Sequence, residues 1–154
     1  MSFNFSIGVV PNIQASEMLG RALDSQTVSF DEVAPPLVGV AQLGEHVVLL
    51  DPAMFQADEL VAAWSDASGR PGYTVTFSGV ADTYVVQAFG PESRLRVRSE
   101  GQQVEDEGDA LPGEAEADAA GEFEEDRHTA LLEKLLGQSM ATVFAARYSL
   151  LGSA

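Results

Sequence analysis

Three arginines stand at every second position of the short run RLRVR, as Arg94, Arg96 and Arg98. Successive side chains of a strand point to opposite faces, so the three guanidinium groups share one face, and Leu95 and Val97 share the other. Guanidinium groups bind carboxylate and phosphate with two parallel hydrogen bonds, and this face is a possible anion site. We favour instead a solvated or charge-protected side of the sheet, or an acidic segment of the same chain folded over the face. Exposed ion pairs of that kind would each contribute about 0–1 kcal/mol.

The acidic segment, residues 100–126, holds twelve of the 24 Asp and Glu residues and no Lys or Arg. The rest of the chain has a net charge of −4, against −16 for the whole chain. Its sizeable apolar residues are Val104, Leu111 and Phe123, too few for their burial to offset the entropy of ordering the backbone. We therefore expect a mobile, solvated loop in which residues 114–120 suit a short helix. Loops of such length tend to be functional or disordered.

An acidic surface steers a basic partner toward the protein and disfavours other acidic proteins. We therefore predict a small bacterial interaction module that binds a basic protein partner. In size, charge and element order the chain is similar to immunity proteins, to nuclease inhibitors that imitate nucleic acid and to secretion chaperones, although it matches no motif of such a family. The carboxylates expected to contact the partner are those of Glu105, Asp106, Glu107, Asp109, Glu122, Glu124, Glu125 and Asp126.

The net charge of −16 and the isoelectric point of 4.1 argue against nucleic acid and anionic membranes as ligands, because such binding requires many Lys and Arg residues. A high-salt host would also favour an acidic surface, but halophilic adaptation spreads the acids over the whole chain. The run EDEGD (105–109) groups oxygen atoms as Ca²⁺ prefers, yet it lacks the loop of about 12 residues that ends in a bidentate Glu. We predict no metal site and no cofactor.

Residues suited to catalysis are few. His46 and His128 are the two histidines, neither lies in a metal-binding motif, and we expect both on the solvated surface. Nucleophile-elbow and phosphate-loop sequences are also missing from the chain. We predict that the protein is not an enzyme. The alternatives are a small-anion-binding or enzymatic domain that uses the Arg94, Arg96 and Arg98 face with a histidine as its titrating group, or a structural or accessory domain.

Length and composition fit one globular domain spanning residues 1–154. With 45% hydrophobic and 21% charged residues, the chain can bury roughly two thirds of its unfolded surface. It has no cysteine, which excludes disulfides and thiol nucleophiles and fits a reducing cytoplasm. No stretch approaches the ~20 apolar residues that span a bilayer. We therefore predict a cytoplasmic protein with no membrane contact.

Hydrophobic periodicity predicts an α+β fold. Residues of β character lie at 3–7, 37–43, 46–50, 73–77, 83–89 and 94–98. Helical spacing covers 15–24 and a second helix that the Asp51-Pro52 pair would open and Gly69 would end. Because the links between strands are short, we predict a mostly antiparallel sheet of about five to six strands, with helices packed mainly on one face and the acidic loop before C-terminal helices.

The C-terminal part of the chain predicts two amphipathic helices. Asp126 suits the cap of the first, which Gly137 interrupts, and apolar residues at three- and four-residue spacing then continue to the end. A strand is the alternative for the last piece. If it is a helix, Phe144, Tyr148 and Leu151 lie on one face, which is a possible homodimer seam.

Overall fold

An antiparallel sheet of nine strands forms the body of the protein, which a computed structural model describes over residues 3–20 and 26–151. Its strands are β1 (Asn4–Val10), β2 (Val28–Ser29), β3 (Val38–Leu43), β4 (His46–Asp51), β5 (Gly72–Ser78), β6 (Thr83–Phe89), β7 (Arg94–Ser99), β8 (Gln102–Glu107) and β9 (Arg147–Leu151). Their order across the sheet is β2-β9-β3-β4-β1-β5-β6-β7-β8.

The prediction of five to six strands is wrong, because β2, β8 and β9 are additional. β2 is two residues long, too short for any hydrophobic pattern. All six residues of β8 are exposed, so no buried face marks it in the sequence. β9 directly follows a helix, and the helical spacing of the apolar residues continues into the strand, so the sequence pattern does not show where the helix ends.

Five helices accompany the sheet within the described residues: α1 (Ala15–Leu19), α2 (Gln56–Ser68), α3 (Glu114–Asp118), α4 (Glu124–Leu136) and α5 (Met140–Ala145). A single 3-10 turn lies at Phe30–Glu32. The helix expected at 15–24 ends at Leu19, and positions 21–25 of that prediction lie outside the described residues. None of the described helices is long and apolar enough to cross a membrane.

Helices cover both faces of the sheet, so their expected placement mainly on one face is wrong. On one face α2 packs on β1, β4 and β5, with Val61 against Leu49 in a shared cluster. On the other face α4 and α5 complete the larger core, in which Leu132 and Val143 pack with Phe77. The central strands are nearly continuous apolar runs because both of their sides are buried.

Asp51 acts at the start of α2, although the helix begins later than predicted. Asp51 is fully buried at the end of β4, and α2 starts at Gln56. Its carboxylate accepts the Ala53 N–H at 3.0 Å and the Ala57 N–H at 2.8 Å, the second of which belongs to the first turn of α2. The carboxylate therefore satisfies a helix-terminal donor from outside the helix.

The last helix predicted by the sequence is replaced by β9. Ala146 is extended (φ −68°, ψ 157°), and the strand that follows pairs with β2 and β3. Tyr148 is buried in the larger core and donates its hydroxyl to the Val143 carbonyl oxygen at 2.7 Å, while Leu151 packs on the opposite side of the sheet. Phe144, Tyr148 and Leu151 therefore share no helical face. The proposed seam is wrong, and dimerisation itself stays a prediction.

Candidate functional site

Strand β7 places the three arginines in one row, as the sequence predicts, but the row faces the protein interior. Arg96 lies opposite the buried Val86 of β6. Val86 belongs to a small apolar cluster with Ala117 of α3 and Leu131 of α4. Arg94 and Arg96 are only 5% and 2% exposed, and the side chain of Arg98 is 17% exposed. The expected solvated face is wrong, whereas the other expected arrangement, the acidic segment folded over the row, is the one observed.

Glu114 of α3 binds two of the arginines at once. Its carboxylate accepts from Arg94 Nε at 3.0 Å and Arg94 Nη2 at 2.9 Å, and from Arg96 Nη1 at 3.0 Å. The Leu111 N–H also donates to it. Burial by itself would raise the pKa of Glu114, but the hydrogen bonds from Arg94 and Leu111 and the charge of Arg96 outweigh it, so the pKa lies below its usual range.

Three further carboxylates of the acidic segment complete the pairing. Arg98 donates to Asp118 at 2.9 and 3.0 Å and to Glu124 at 3.1 Å. Arg94 Nη1 donates to Asp106 of β8, and this hydrogen bond is the main cause that holds the pKa of Asp106 below its usual range. For Asp118, burial raises the pKa, but the hydrogen bonds and charges of the arginines lower it by more.

These contacts fold the acidic segment back over the arginine row. The segment contains β8, α3 and the start of α4, so its description as a long loop is wrong, while its mobility stays a prediction. The value of about 0–1 kcal/mol for each pair applies to exposed pairs. Arg96 and Glu114 are both buried, and removing one partner of a buried pair costs about 3–5 kcal/mol. The pairs therefore attach β8, α3 and the start of α4 to the row.

His128 of α4 is fully buried, so the surface position expected for it is wrong. Its Nε2 is 2.9 Å from the Thr76 carbonyl oxygen, and its ring meets Phe77 and Tyr84 edge to face. Burial first, and then the charge of Arg96, lower the pKa of His128 to about 3. It is therefore a neutral core residue at physiological pH.

The cluster holds buried polar atoms that make no hydrogen bond within the described part of the chain: Arg96 Nε, Glu124 Oε2 and His128 Nδ1. The positive charges of the three arginines are each paired with carboxylates of the acidic segment. Carboxylates of the segment occupy the positions that a bound anion would take on the arginines. The other histidine, His46, is half-buried, and its Nδ1 accepts the Asn12 N–H at 3.1 Å.

Eight carboxylates of the acidic segment form no ion pair within residues 3–20 and 26–151. They are those of Glu100, Glu105, Glu107, Asp109, Glu116, Glu122, Glu125 and Asp126. Seven are exposed and Glu125 is half-exposed. Of the eight residues predicted to contact a partner, Asp106 and Glu124 are bound by arginines, and the other six form no ion pair within the described ranges. The described residues contain no group of acids or histidines arranged to hold a metal ion.

A second candidate site is an aromatic groove that the sequence reasoning missed. It has a volume of about 390 Å³ and is lined by Phe3, Asn4, Phe5, Ser29, Phe30, Asp31 and Phe144. The phenylalanines come from three distant parts of the chain, and β1, the 3-10 turn and α5 bring them together. The FNF run at positions 3–5 is the one local signal, and its alternation predicts a half-buried strand rather than a groove.

Comparison of the chain with protein-family models, with curated protein sequences and with solved structures found no match in any of the three.

Proposed function

We propose that the protein is a small interaction module that binds a basic protein partner through the unpaired carboxylates of its acidic segment. The observation that carries the proposal is that the carboxylates of the segment fall into two groups, one bound by arginines and one not. Asp106, Glu114, Asp118 and Glu124 are bound by arginines, while the neighbouring carboxylates form no ion pair with any cation of the described residues. The first group positions the backbone, and the second is left for a partner.

The position of the unpaired acids favours recognition. Glu105 and Glu107 project from β8, the edge strand of the sheet, and both are exposed. Glu122, Glu125 and Asp126 surround the N-terminal turn of α4. Like charges held close together repel one another, and a cationic surface relieves that repulsion. Because the arginine row already holds parts of the segment through Asp106, Glu114, Asp118 and Glu124, binding would cost less conformational entropy than it would for a free loop.

The proposed partner is a basic protein of the same cell, such as the target of an inhibitor, an immunity protein or a secretion chaperone. We place the module in the cytoplasm, since a cysteine-free chain fits a reducing compartment. Surface charges act mainly on the rate of encounter, so the complex should form quickly at low salt and weaken as salt screens the charges.

The test is a pull-down from a lysate of the source organism at low salt with three baits. The first is the wild type. The second, the segment variant, carries E105Q, E107Q, D109N, E122Q, E125Q and D126N. The third, the control variant, carries six changes of exposed acids elsewhere: E17Q, E45Q, E59Q, D66N, D82N and E92Q. Both variants change the net charge from −16 to −10, so they differ only in where the charge is lost.

The proposal expects one basic protein that wild type and the control variant recover and the segment variant does not. Recovery by all three baits would place the binding surface elsewhere and contradict the proposed role of the segment. Equal loss from both variants would show a nonspecific effect of net charge. Recovery of no protein by the wild type would contradict the interaction function itself.

A further inference from the structure

The aromatic groove lies apart from the acidic segment and has a geometry of its own. Four rings form a closed circuit: Phe3 to Phe5 at 5.4 Å between centroids, Phe5 to Phe30 at 5.3 Å, Phe30 to Phe144 at 5.0 Å, and Phe144 back to Phe3 at 5.5 Å. Three of these contacts are edge to face and the Phe3–Phe5 pair is tilted by 30°, so the rings pack against one another, and a ligand can meet only the ring surfaces that line the groove. Phe5 is nearly buried while Phe144 is 39% exposed, so the circuit runs from the core to the surface.

One carboxylate lines this groove, that of Asp31. Its neighbour Glu32 is engaged, because its Oε1 accepts from the backbone N–H and the hydroxyl of Ser29 at 2.9 and 2.8 Å. This capping arrangement holds the 3-10 turn, and with it both Phe30 and Asp31, in place. Asp31 is exposed and forms no ion pair among residues 3–20 and 26–151. The groove therefore combines apolar aromatic walls with one carboxylate that no cation of the described residues pairs.

We propose that this groove binds a small free compound that carries a quaternary ammonium group. Aromatic rings attract a cation within about 6 Å of their centroids, because each ring has a negative face. A trimethylammonium group is itself apolar on its outside, so it fits phenylalanine walls that offer no hydrogen-bond acceptor. A carboxylate at the groove then neutralises its charge. The protein's net charge of −16 also raises the local concentration of any cation.

Other occupants match the groove less well. A hydrated metal ion or a primary amine requires several hydrogen-bond acceptors. Besides Asp31, the polar side chains that line the groove are those of Asn4 and Ser29. Both are already engaged, because Asn4 Oδ1 accepts the Val80 N–H and the Ser29 hydroxyl donates to Glu32. A neutral hydrocarbon would leave the Asp31 charge without a partner beside an apolar ligand. The volume of about 390 Å³ lies at the small end of the range for small-molecule sites. Size and charge together therefore select a compact organic cation.

The experiment is a titration of the full chain, observed by the amide and aromatic NMR signals of the residues that line the groove. The probes are tetramethylammonium, choline, and 3,3-dimethylbutan-1-ol, which is the neutral isostere of choline. A fourth probe is a short peptide that contains trimethyllysine, which separates a free compound from a modified protein. We expect the two free cations to bind with a Kd on the order of 1 mM and the neutral isostere at least roughly tenfold more weakly.

Three variants make the test specific to the groove. Asp31→Asn removes the charge, Phe144→Leu keeps an apolar side chain without the ring, and each should raise the Kd for choline by roughly three- to tenfold. Phe123→Leu is the matched control, since Phe123 is 68% exposed and does not line the groove. It should leave the Kd unchanged. Thermal unfolding of each variant shows whether it is folded.

Equal binding of choline and its neutral isostere would overturn the proposal, as would an unchanged Kd in both groove variants. Shifts confined to other parts of the protein would overturn it too. Binding of the trimethyllysine peptide without binding of the free cations would assign the groove to a modified protein instead. A sedimentation experiment that shows self-association lost in Phe144→Leu would assign it to a second copy of the chain.

Discussion

Arg96 of β7 and Glu114 of α3 lie side by side in the protein interior, with Nη1 and Oε1 3.0 Å apart and side-chain exposures of 2% and 4%. They are 18 residues apart in the chain, and between them run β8 and the connection to α3. This contact joins the sheet to the acidic segment. Because the pair is buried, Glu114 holds the residues beside it in α3 close to the sheet.

Glu114→Gln should destabilise the protein by about 3 kcal/mol, because it leaves Arg94 and Arg96 buried with no charge from Glu114 to balance them. Urea unfolding at neutral pH measures the loss. Glu116→Gln is the control in the same helix, since Glu116 is exposed and its change should stay within about 0.5 kcal/mol. Equal effects of the two variants would contradict the importance of the buried pair.

Stability should fall on acidification in two steps. In the unfolded chain His128 has the ordinary imidazole pKa of 6.5, whereas the folded protein holds its pKa at about 3. The stability contributed by neutral His128 is therefore complete above about pH 6.5 and is lost as the pH falls toward 3. The limiting slope is about 1.4 kcal/mol per pH unit. Glu114 and Asp118, whose pKa values are lowered by their arginines, add their own loss at lower pH.

Urea unfolding between pH 7 and pH 5 isolates the histidine step. The wild type should lose about 2 kcal/mol over this range, and His128→Gln, which keeps a side-chain N–H for the Thr76 carbonyl oxygen, should lose much less. If the free energy of unfolding falls equally in both proteins between pH 7 and pH 5, His128 is not held neutral by the fold.

Gly108→Ala should destabilise the turn that leads out of β8. Gly108 has φ +81°, and a Cβ there would overlap the Ser93 carbonyl oxygen, so the backbone would have to move. Gly101 also has a positive φ, +77°, but a Cβ there meets open space. We expect about 1 kcal/mol for Gly101→Ala from the backbone conformation and roughly 2 kcal/mol more for Gly108→Ala from overpacking. Similar losses would show that the segment shifts freely against β7.

The sequence predicted the parts of the fold that alternation marks. The runs at 73–77, 83–89 and 94–98 form β5, β6 and β7, and the shared face of Arg94, Arg96 and Arg98 is real. It did not predict β8, because an exposed acidic edge strand buries no side chain. Folding of the acidic segment over the row was one of the expected arrangements, but the burial of the resulting ion pairs was missed, since charged side chains are ordinarily solvated.

A signal for the buried pairing was nevertheless present. Alternate residues of a strand lie about 6.6 Å apart, and residues four apart in a helix rise about 6 Å. Glu114 and Asp118, four residues apart, therefore match the spacing of consecutive arginines in the row. His128 carried a similar signal, because it stands three and four residues before the buried Leu131 and Leu132, on the apolar side of α4.

Recognition by the acidic segment is tested most directly by the association rate of the purified basic partner with the wild type, the segment variant and the control variant at several salt concentrations. We expect fast association of the wild type and the control variant, with a rate that falls steeply as salt is added. We expect the segment variant to associate at least roughly tenfold more slowly, with a rate nearly independent of salt. Equal rates and equal salt dependence for all three proteins would contradict recognition by the acidic segment.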